Sequence, residues 1–498
     1  MSQQARSGGS PLFRKKDIPT LQREAAGDTG MERTLGLWNL TAIGIGAIVG
    51  VGAFVLTGVV AANQAGPGVA LSFVLAGLIS ASAALCYAEF ASMIPVTGSA
   101  YTYSYAVLGE IFAWAIGWDL LLEYSLVVPV VAIGIAGYLN ELLIAVGLGL
   151  PGWAASGPFE GGVVNLFAVL LCLGIAGLQI RGTKESVRLN AAAVIIKLAV
   201  IAFVIVLGVF FVNPGNLTPF LPFGALGVVT GAGVVFFAVF GYDTLTTAAE
   251  EAVNPRRDMP RAVILSLAVS LVAYILLSLV VTGMVPYTDL DTPAPVSFAF
   301  REVGLPVVSS LIAVAAVAGI ISVLFAFMLG ASRIWFALGR DGLLPRWFSE
   351  LHPRYRTPYR TTAIIGVVTA IFAGFIPIGT LAELVNAGVL AAFILVCASV
   401  IILRYRSPDM ERGYRAPLVP VLPIIGIIGS FVLIVSLGPD TWLRFIAWLG
   451  LGMVVYFLYG RRHSLMAHEE SGVGADTPGP ATSDVESGEE YTTDRREP

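Results

Sequence analysis

Twelve apolar stretches, each about as long as a bilayer core is thick, decide what this chain can fold into. A helix needs roughly 20 apolar residues to cross such a core. The stretches lie near residues 36–62, 69–94, 107–139, 163–180, 190–212, 226–250, 260–284, 306–338, 361–378, 381–403, 418–438 and 441–460. In lipid every backbone N–H and C=O must find a partner inside the protein, so each stretch reads as a helix. Only 12% of the residues are charged, against about 25% in soluble domains, and mean hydropathy is +0.83. The expected class is an all-α membrane protein with twelve transmembrane helices.

The basic residues orient that layout. With the N-terminus inside, the cytoplasmic segments hold every one of the 29 lysines and arginines except Lys197, Arg301 and Arg444. Positive charge kept on one side predicts cytoplasmic N- and C-termini and a multi-pass plasma-membrane protein. The polar, basic first 35 residues do not resemble a signal peptide, whose apolar core would begin sooner. The tail beyond His468 is rich in Gly, Ser, Thr, Pro and acid and is expected to be disordered. Residues 285–305, with Pro286, Pro293 and Pro295, form an external loop able to cap an outer vestibule. The segment from Asp341 to Trp347 is expected to make a short amphipathic surface helix.

Cys86, Cys172 and Cys397 all lie in apolar runs, and His352, His463 and His468 lie in loops or tail. That pattern predicts no disulfide framework, no metal site and no cofactor. No basic aromatic surface points to nucleic acid.

Two stretches combine apolar length with breakable backbone. The first holds Gly44, Gly46, Gly50 and Gly52, and glycine costs about 0.8–1 kcal/mol relative to Ala in a helix interior. The sixth reads Gly231-Ala-Gly-Val-Val-Phe-Phe-Ala-Val-Phe-Gly-Tyr-Asp-Thr244, again mixing glycines with a polar end at membrane depth. Small residues also serve close helix packing. Two such stretches five spans apart instead suit an inverted repeat with paired broken helices, since five is odd.

Taken together the motifs resemble the amino acid–polyamine–organocation superfamily, and within it the cationic amino acid transporter family and its bacterial relatives. The resemblance rests on Gly44-Ile-Gly-Ala-Ile-Val-Gly-Val-Gly-Ala-Phe54, Cys86-Tyr-Ala-Glu-Phe90 and Pro95-Val-Thr-Gly-Ser-Ala-Tyr101. It continues with Gly241-Tyr-Asp243, Ala249-Glu-Glu-Ala-Val-Asn-Pro-Arg-Arg-Asp-Met-Pro260, Ser332-Arg333 and Arg340-Asp-Gly-Leu-Leu-Pro345. Arg415-Ala-Pro-Leu-Val-Pro-Val-Leu-Pro423 is a weaker match. The resemblance implies a five-plus-five inverted repeat with broken helices 1 and 6, two further C-terminal helices, and alternating access. The expected divisions are an N-terminal tail 1–35, repeat A 36–212, repeat B 213–404, helices 11 and 12 over 405–461, and an acidic tail 462–498.

An amino acid substrate needs donors for its carboxylate and acceptors for its ammonium, and half-helix ends offer both. The resemblance places the carboxylate on amides around Ala47, Ile48, Val49 and Gly50, with Gly46 nearby, and the ammonium on carbonyls of Ile45, Phe237, Ala238 and Phe240. Ile320, near the family's specificity position, supplies no acceptor for a cationic side chain. Small or branched neutral amino acids are therefore expected over Arg or Lys.

Charges at membrane depth cost about 2.5 kcal/mol or more, so each is a functional candidate. Lys197 lies nine residues beyond Arg188, about 13 Å along a helix. A lysine can lose its proton when desolvated. In the family a lysine at this fifth-helix position stands where related transporters bind sodium, which implies proton coupling through Lys197 and disfavours a sodium-coupled form. Glu123, in Gly117-Trp-Asp-Leu-Leu-Leu-Glu-Tyr124, matches a family glutamate tied to proton movement, and Asp243 is the next candidate. Asp119 shares a helix face with Glu123 and reads as structural. Glu89 is expected to snorkel or to pair with loop arginines. Glu250, Glu251, Arg256, Arg257 and Asp258 are expected to form an inner gate or a surface cluster.

The function this favours is a proton-coupled secondary transporter of neutral amino acids. An exchanger or a cationic amino acid transporter is the alternative. A membrane enzyme would want a nucleophile–base pair or a phosphate-binding loop, and a channel a continuous polar lining.

Overall fold

A computed structural model describes Lys15 and residues 34–94, 99–182, 187–246, 249–340, 342–355 and 357–463. The rest of the N-terminal tail, the acidic tail from 464, Pro95–Gly98, Asp341 and the side chains of Arg188 and Glu250 lie outside the described residues.

Among the described residues the chain is helical, with one isolated bridge between Leu35 and Ala252. Its apolar helices are α1 (Leu37–Ile48), α2 (Val69–Met93), α3 (Glu110–Ala145), α4 (Leu166–Ile180), α5 (Val187–Gly208) and α6 (Gly224–Val235). They continue as α7 (Pro255–Met284), α8 (Pro306–Arg340), α9 (Tyr359–Phe375), α10 (Ile378–Arg406), α11 (Val421–Ser436) and α12 (Pro439–Val455). Among the described residues eight helical stretches are long and apolar enough to cross a membrane. Four others, α1, α4, α9 and α11, are apolar but shorter.

Local chemistry sets the helix ends. Asn165 caps α4 by accepting the Ala168 N–H at 3.2 Å, and Pro255 and Pro439 open α7 and α12, where a missing N–H costs nothing. Large apolar side chains such as Ile195, Val206, Leu311 and Phe431 point outward. Exposure of that kind suits lipid rather than water.

Both glycine-rich stretches are interrupted. After Ile48 the backbone extends at Val49 (ψ 105°), and helix resumes as a π turn over Gly52–Leu56. The strand of helix then bends at Gly66 (φ 60°) into α2. α6 gives way to a 3-10 turn, Phe236–Ala238, before Gly241 (φ 111°) starts a short helix, Tyr242–Thr246. Around these breaks, α7 packs on α1 and α2, α8 on α3, and α9 on α4, while α5 lies against α1 and α8.

Two loop expectations change. Among its described residues, the segment after Arg340 forms only one 3-10 turn, Arg346–Ser349, because Pro345 lacks the N–H a helix from 341 would need. Residues 285–305 contain real helix, Pro295–Glu302, whose Pro295 packs over Gly58.

Candidate functional site

The two breaks touch. A Cβ on Gly52 would lie 2.4 Å from the Ala238 Cβ, and one on Gly241 would lie 3.1 Å from the Ala47 carbonyl. Only glycine permits that approach, and the left-handed φ of Gly241 adds a second reason for it there. Ile45, Gly46, Ile48, Val49, Gly50, Phe237, Ala238, Phe240 and Ile320 are all buried, and Ala47 is half-buried. Gly50 faces Val323, one helical turn beyond Ile320 on α8. The rings of Phe237 and Phe240 meet edge to face at 5.4 Å, and Phe240 meets Phe327 at 6.4 Å. The breaks are therefore surrounded by apolar side chains and backbone.

A helix end leaves its last four carbonyls without intrahelical partners. At the end of α1, Val49 N–H serves Ile45 at 2.8 Å, Lys197 Nζ serves Gly46 at 3.0 Å, and Tyr274 OH serves Ile48 at 2.9 Å. The remaining carbonyl, Ala47, faces Gly241. At the end of α6, Asn386 Nδ2 donates to Gly233 at 2.8 Å and Val234 at 3.0 Å. Ser80 Oγ donates to Val239 at 2.6 Å, and Tyr138 OH to Phe54 at 2.6 Å. Side chains from neighbouring helices thus hold both breaks open at low cost.

Lys197 is only 1% exposed and lies between helices. Its stem packs on Gly319 of α8, where a Cβ would sit 2.6 Å from the Lys197 Cγ, while its head reaches α1. A cation at a helix C-terminus is favourable for the dipole as well as for the hydrogen bond.

The acidic candidates form a second group. Tyr124 OH donates to Asp243 Oδ2 at 2.9 Å, joining α3 to the helix after the second break. Glu123 is buried next to Tyr124 in sequence and within electrostatic reach of Asp243 and Asp119. Asp119 lies against Gly388 of α10. One oxygen each of Asp119, Glu123 and Asp243 is buried without a hydrogen-bond partner. Among the described residues no three His, Cys, Asp or Glu side chains converge as a metal site would require.

Glu89 pairs with one loop arginine, Arg412, and with Arg404 in the last turn of α10. It accepts Arg404 at 2.9 and 2.7 Å, Arg412 Nε at 3.0 Å and the Ala416 N–H at 2.8 Å. Of the charges expected around the start of α7, Arg256 reaches Glu411 at 3.4 Å, both exposed. Leu35 exchanges backbone bonds with Glu251 and Val253, each at 3.0 Å.

Tyr124, Tyr274, Asn386, Ser80 and Val323 escaped the sequence reading. The polar ones carried a signal, being lone hydrogen-bonding groups inside apolar stretches, where they need partners.

A family model described as "Amino acid permease" matches residues 35–458. The chain belongs to the amino acid permease family. A methylthioribose transporter of Bacillus subtilis is 46% identical over 459 residues, covering 92% of this chain and 99% of the relative. A branched-chain amino acid permease of the same organism is 43% identical, covering 91% and 98%. A vacuolar cationic amino acid transporter of Arabidopsis thaliana is more distant, at 30% identity over 91% and 96%. This permease is a transporter rather than an enzyme, and the resemblance to cationic amino acid transporters and their bacterial relatives holds. Its apolar helices make it a membrane protein.

Proposed function

We propose that this permease is a secondary active transporter that carries neutral amino acids across the plasma membrane together with protons, by alternating access. The observation that carries this reading is the contact of the two helix breaks beside the Lys197–Gly46 bond. Backbone groups of residues 45–50 and of Phe237, Ala238 and Phe240 bind the amino acid's carboxylate and ammonium. Lys197 takes and releases the coupled proton, with Glu123 and Asp243 as further proton sites.

The fold that goes with this mechanism has twelve spans, residues 36–212 and 213–404 forming the inverted repeats and 405–461 the last two helices. The mutual packing of α2 with α7, α3 with α8 and α4 with α9 supports it, since each pair lies five helices apart. Both termini face the cytoplasm.

The substrate side chain meets apolar residues. Ile320 is fully buried and Val323 nearly so, and neither offers an acceptor for a guanidinium or ammonium tip. The similarity to a protein named as a branched-chain amino acid permease supports the same choice. Methylthioribose is the second candidate cargo, favoured by the 46% identical relative named as its transporter.

Uptake of labelled Ala, Val, Leu and Ile into proteoliposomes, with and without an imposed proton gradient, tests the proposal. Arg, Lys and methylthioribose serve as competitors. Gradient-driven accumulation of Val or Leu is the expected result. Accumulation indifferent to the gradient removes proton coupling, and stronger competition by Arg or Lys than by Leu removes the neutral preference.

A further inference from the structure

The connector between α10 and α11 folds back under α2 and leaves a cavity of about 310 Å³. Its lining is Arg404, Tyr405, Pro408, Arg412, Arg415 and Val419. Three arginines therefore border one small space. The buried carboxylate of Glu89 balances one of these charges, because Arg404 and Arg412 both bind it. Glu411, the acid next to Arg412, is engaged by Arg256 instead. The lining side chains together with Glu89 carry a net positive charge around the buried guanidinium of Arg412. Burial pushes that guanidinium down from its ordinary value, Arg404 and Arg415 push the same way, and Glu89 opposes them.

Arg412 is not free to turn away from the cavity. Its remaining donors hold the carbonyls of Pro408, Met410 and Ser407 at 3.1, 2.8 and 2.9 Å, which fixes the connector's shape. Arg404 and Arg412 are thus held in place rather than loose at the surface, whereas Arg415 is exposed.

The surroundings select among anions. Tyr405 is 72% exposed and Leu418 75%, and the adjoining face of α11 presents Val421, Ile424, Ile425 and Ile428 outward. That apolar face belongs in the acyl region, so the cavity opens where headgroups meet acyl chains. An anion with attached acyl chains fills both parts, whereas a free phosphate fills one. We propose that this cavity is a binding site for the phosphate of an anionic phospholipid, held by Arg415 with Arg404 and Arg412 behind it and with acyl chains along α11. Basic pockets between membrane helices suit such headgroups. The site requires only that the chain lies in a membrane, and it would stand even if the proposed cargo or coupling were wrong.

The test uses the full-length chain, purified in detergent, stripped of lipid and titrated with phosphatidylglycerol under native mass spectrometry. Phosphatidylcholine, inorganic phosphate and the variants Arg415→Gln and Arg346→Gln are run in parallel. Arg346 is an exposed arginine in a different loop. The expected result is binding of phosphatidylglycerol at least fivefold tighter than phosphatidylcholine, weakened at least fivefold by Arg415→Gln and unchanged by Arg346→Gln. Equal binding of the two lipids overturns the proposal, as does equal weakening by both variants or no weakening by Arg415→Gln. Inorganic phosphate that displaces the lipid at matched concentration identifies a free-anion site and overturns the lipid assignment. Because no uptake is measured, a failure here is distinct from a failure of the transport reading.

Discussion

Lys197 Nζ and the Gly46 carbonyl are 3.0 Å apart, and this bond joins α5 to the last turn of α1 just before that helix opens. The carbonyl is one that the break deprives of its helical partner. A charge on the lysine therefore strengthens a bond that exists only because the helix is broken. In the proposed mechanism, loss of that charge would loosen α1 against α5 and α8 in the same step.

Replacing Lys197 with Met keeps the stem that packs on Gly319 and removes the donor. Gradient-driven uptake of Leu in proteoliposomes should fall at least tenfold, with the variant still eluting as a single folded species. Concentrative uptake at the original level would reject a role for Lys197 in coupling.

The contact between the breaks makes a second prediction. Gly241→Ala meets the Ala47 backbone at 3.1 Å and also forces a Cβ onto φ 111°. Such a backbone conformation costs about 1–3 kcal/mol. Gly304→Ala, with φ 84° but nothing within 4 Å, carries the strain without the clash. Melting in detergent should drop more for Gly241→Ala than for Gly304→Ala, and only Gly241→Ala should impair uptake. Equal drops would mean that the contact is immaterial.

Much of this was legible in the sequence because the bilayer leaves few options. Apolar length alone placed α2, α7, α8 and α10 close to their observed ends, and the glycines located both interruptions. The position of Lys197 came from its depth within a span and from the family resemblance. The partners of the broken backbone were not legible. Tyr274 lies 226 residues from Ile48, and Asn386 lies 152 residues from Val234, so only the folded chain brings them together. The surface segment after Arg340 failed for a local reason. Its apolar pattern suggested a helix, and the missing N–H of Pro345 outweighed the pattern.

Glu89 anchors the C-terminal end of α2 to the last turn of α10 through Arg404, and to the α10–α11 connector through Arg412 and the Ala416 amide. Glu89→Gln leaves the nearly buried Arg412 facing a neutral amide. Breaking a buried pair from one side costs about 3–5 kcal/mol. A fall in melting temperature of several degrees is expected. Arg256→Gln, which breaks only the exposed pair with Glu411, should leave the melt unchanged. Indistinguishable melts for the two variants would show that the buried arrangement contributes no more than a surface pair.

Asn386 does for α6 what Lys197 and Tyr274 do for α1. Its amide serves two carbonyls that have lost their helical partners, and a Leu of similar size serves neither. An unpaired buried carbonyl costs about 1–3 kcal/mol. Asn386→Leu should therefore lower the melting temperature and cut Leu uptake at least fivefold, because the half-helix end it supports leads into the break that touches α1. Ser399→Ala, on the same helix, removes only a bond to the Leu395 carbonyl within its own turn, and should change neither readout appreciably. If Asn386→Leu melts and transports like Ser399→Ala, the opened end of α6 does not depend on a donor from α10.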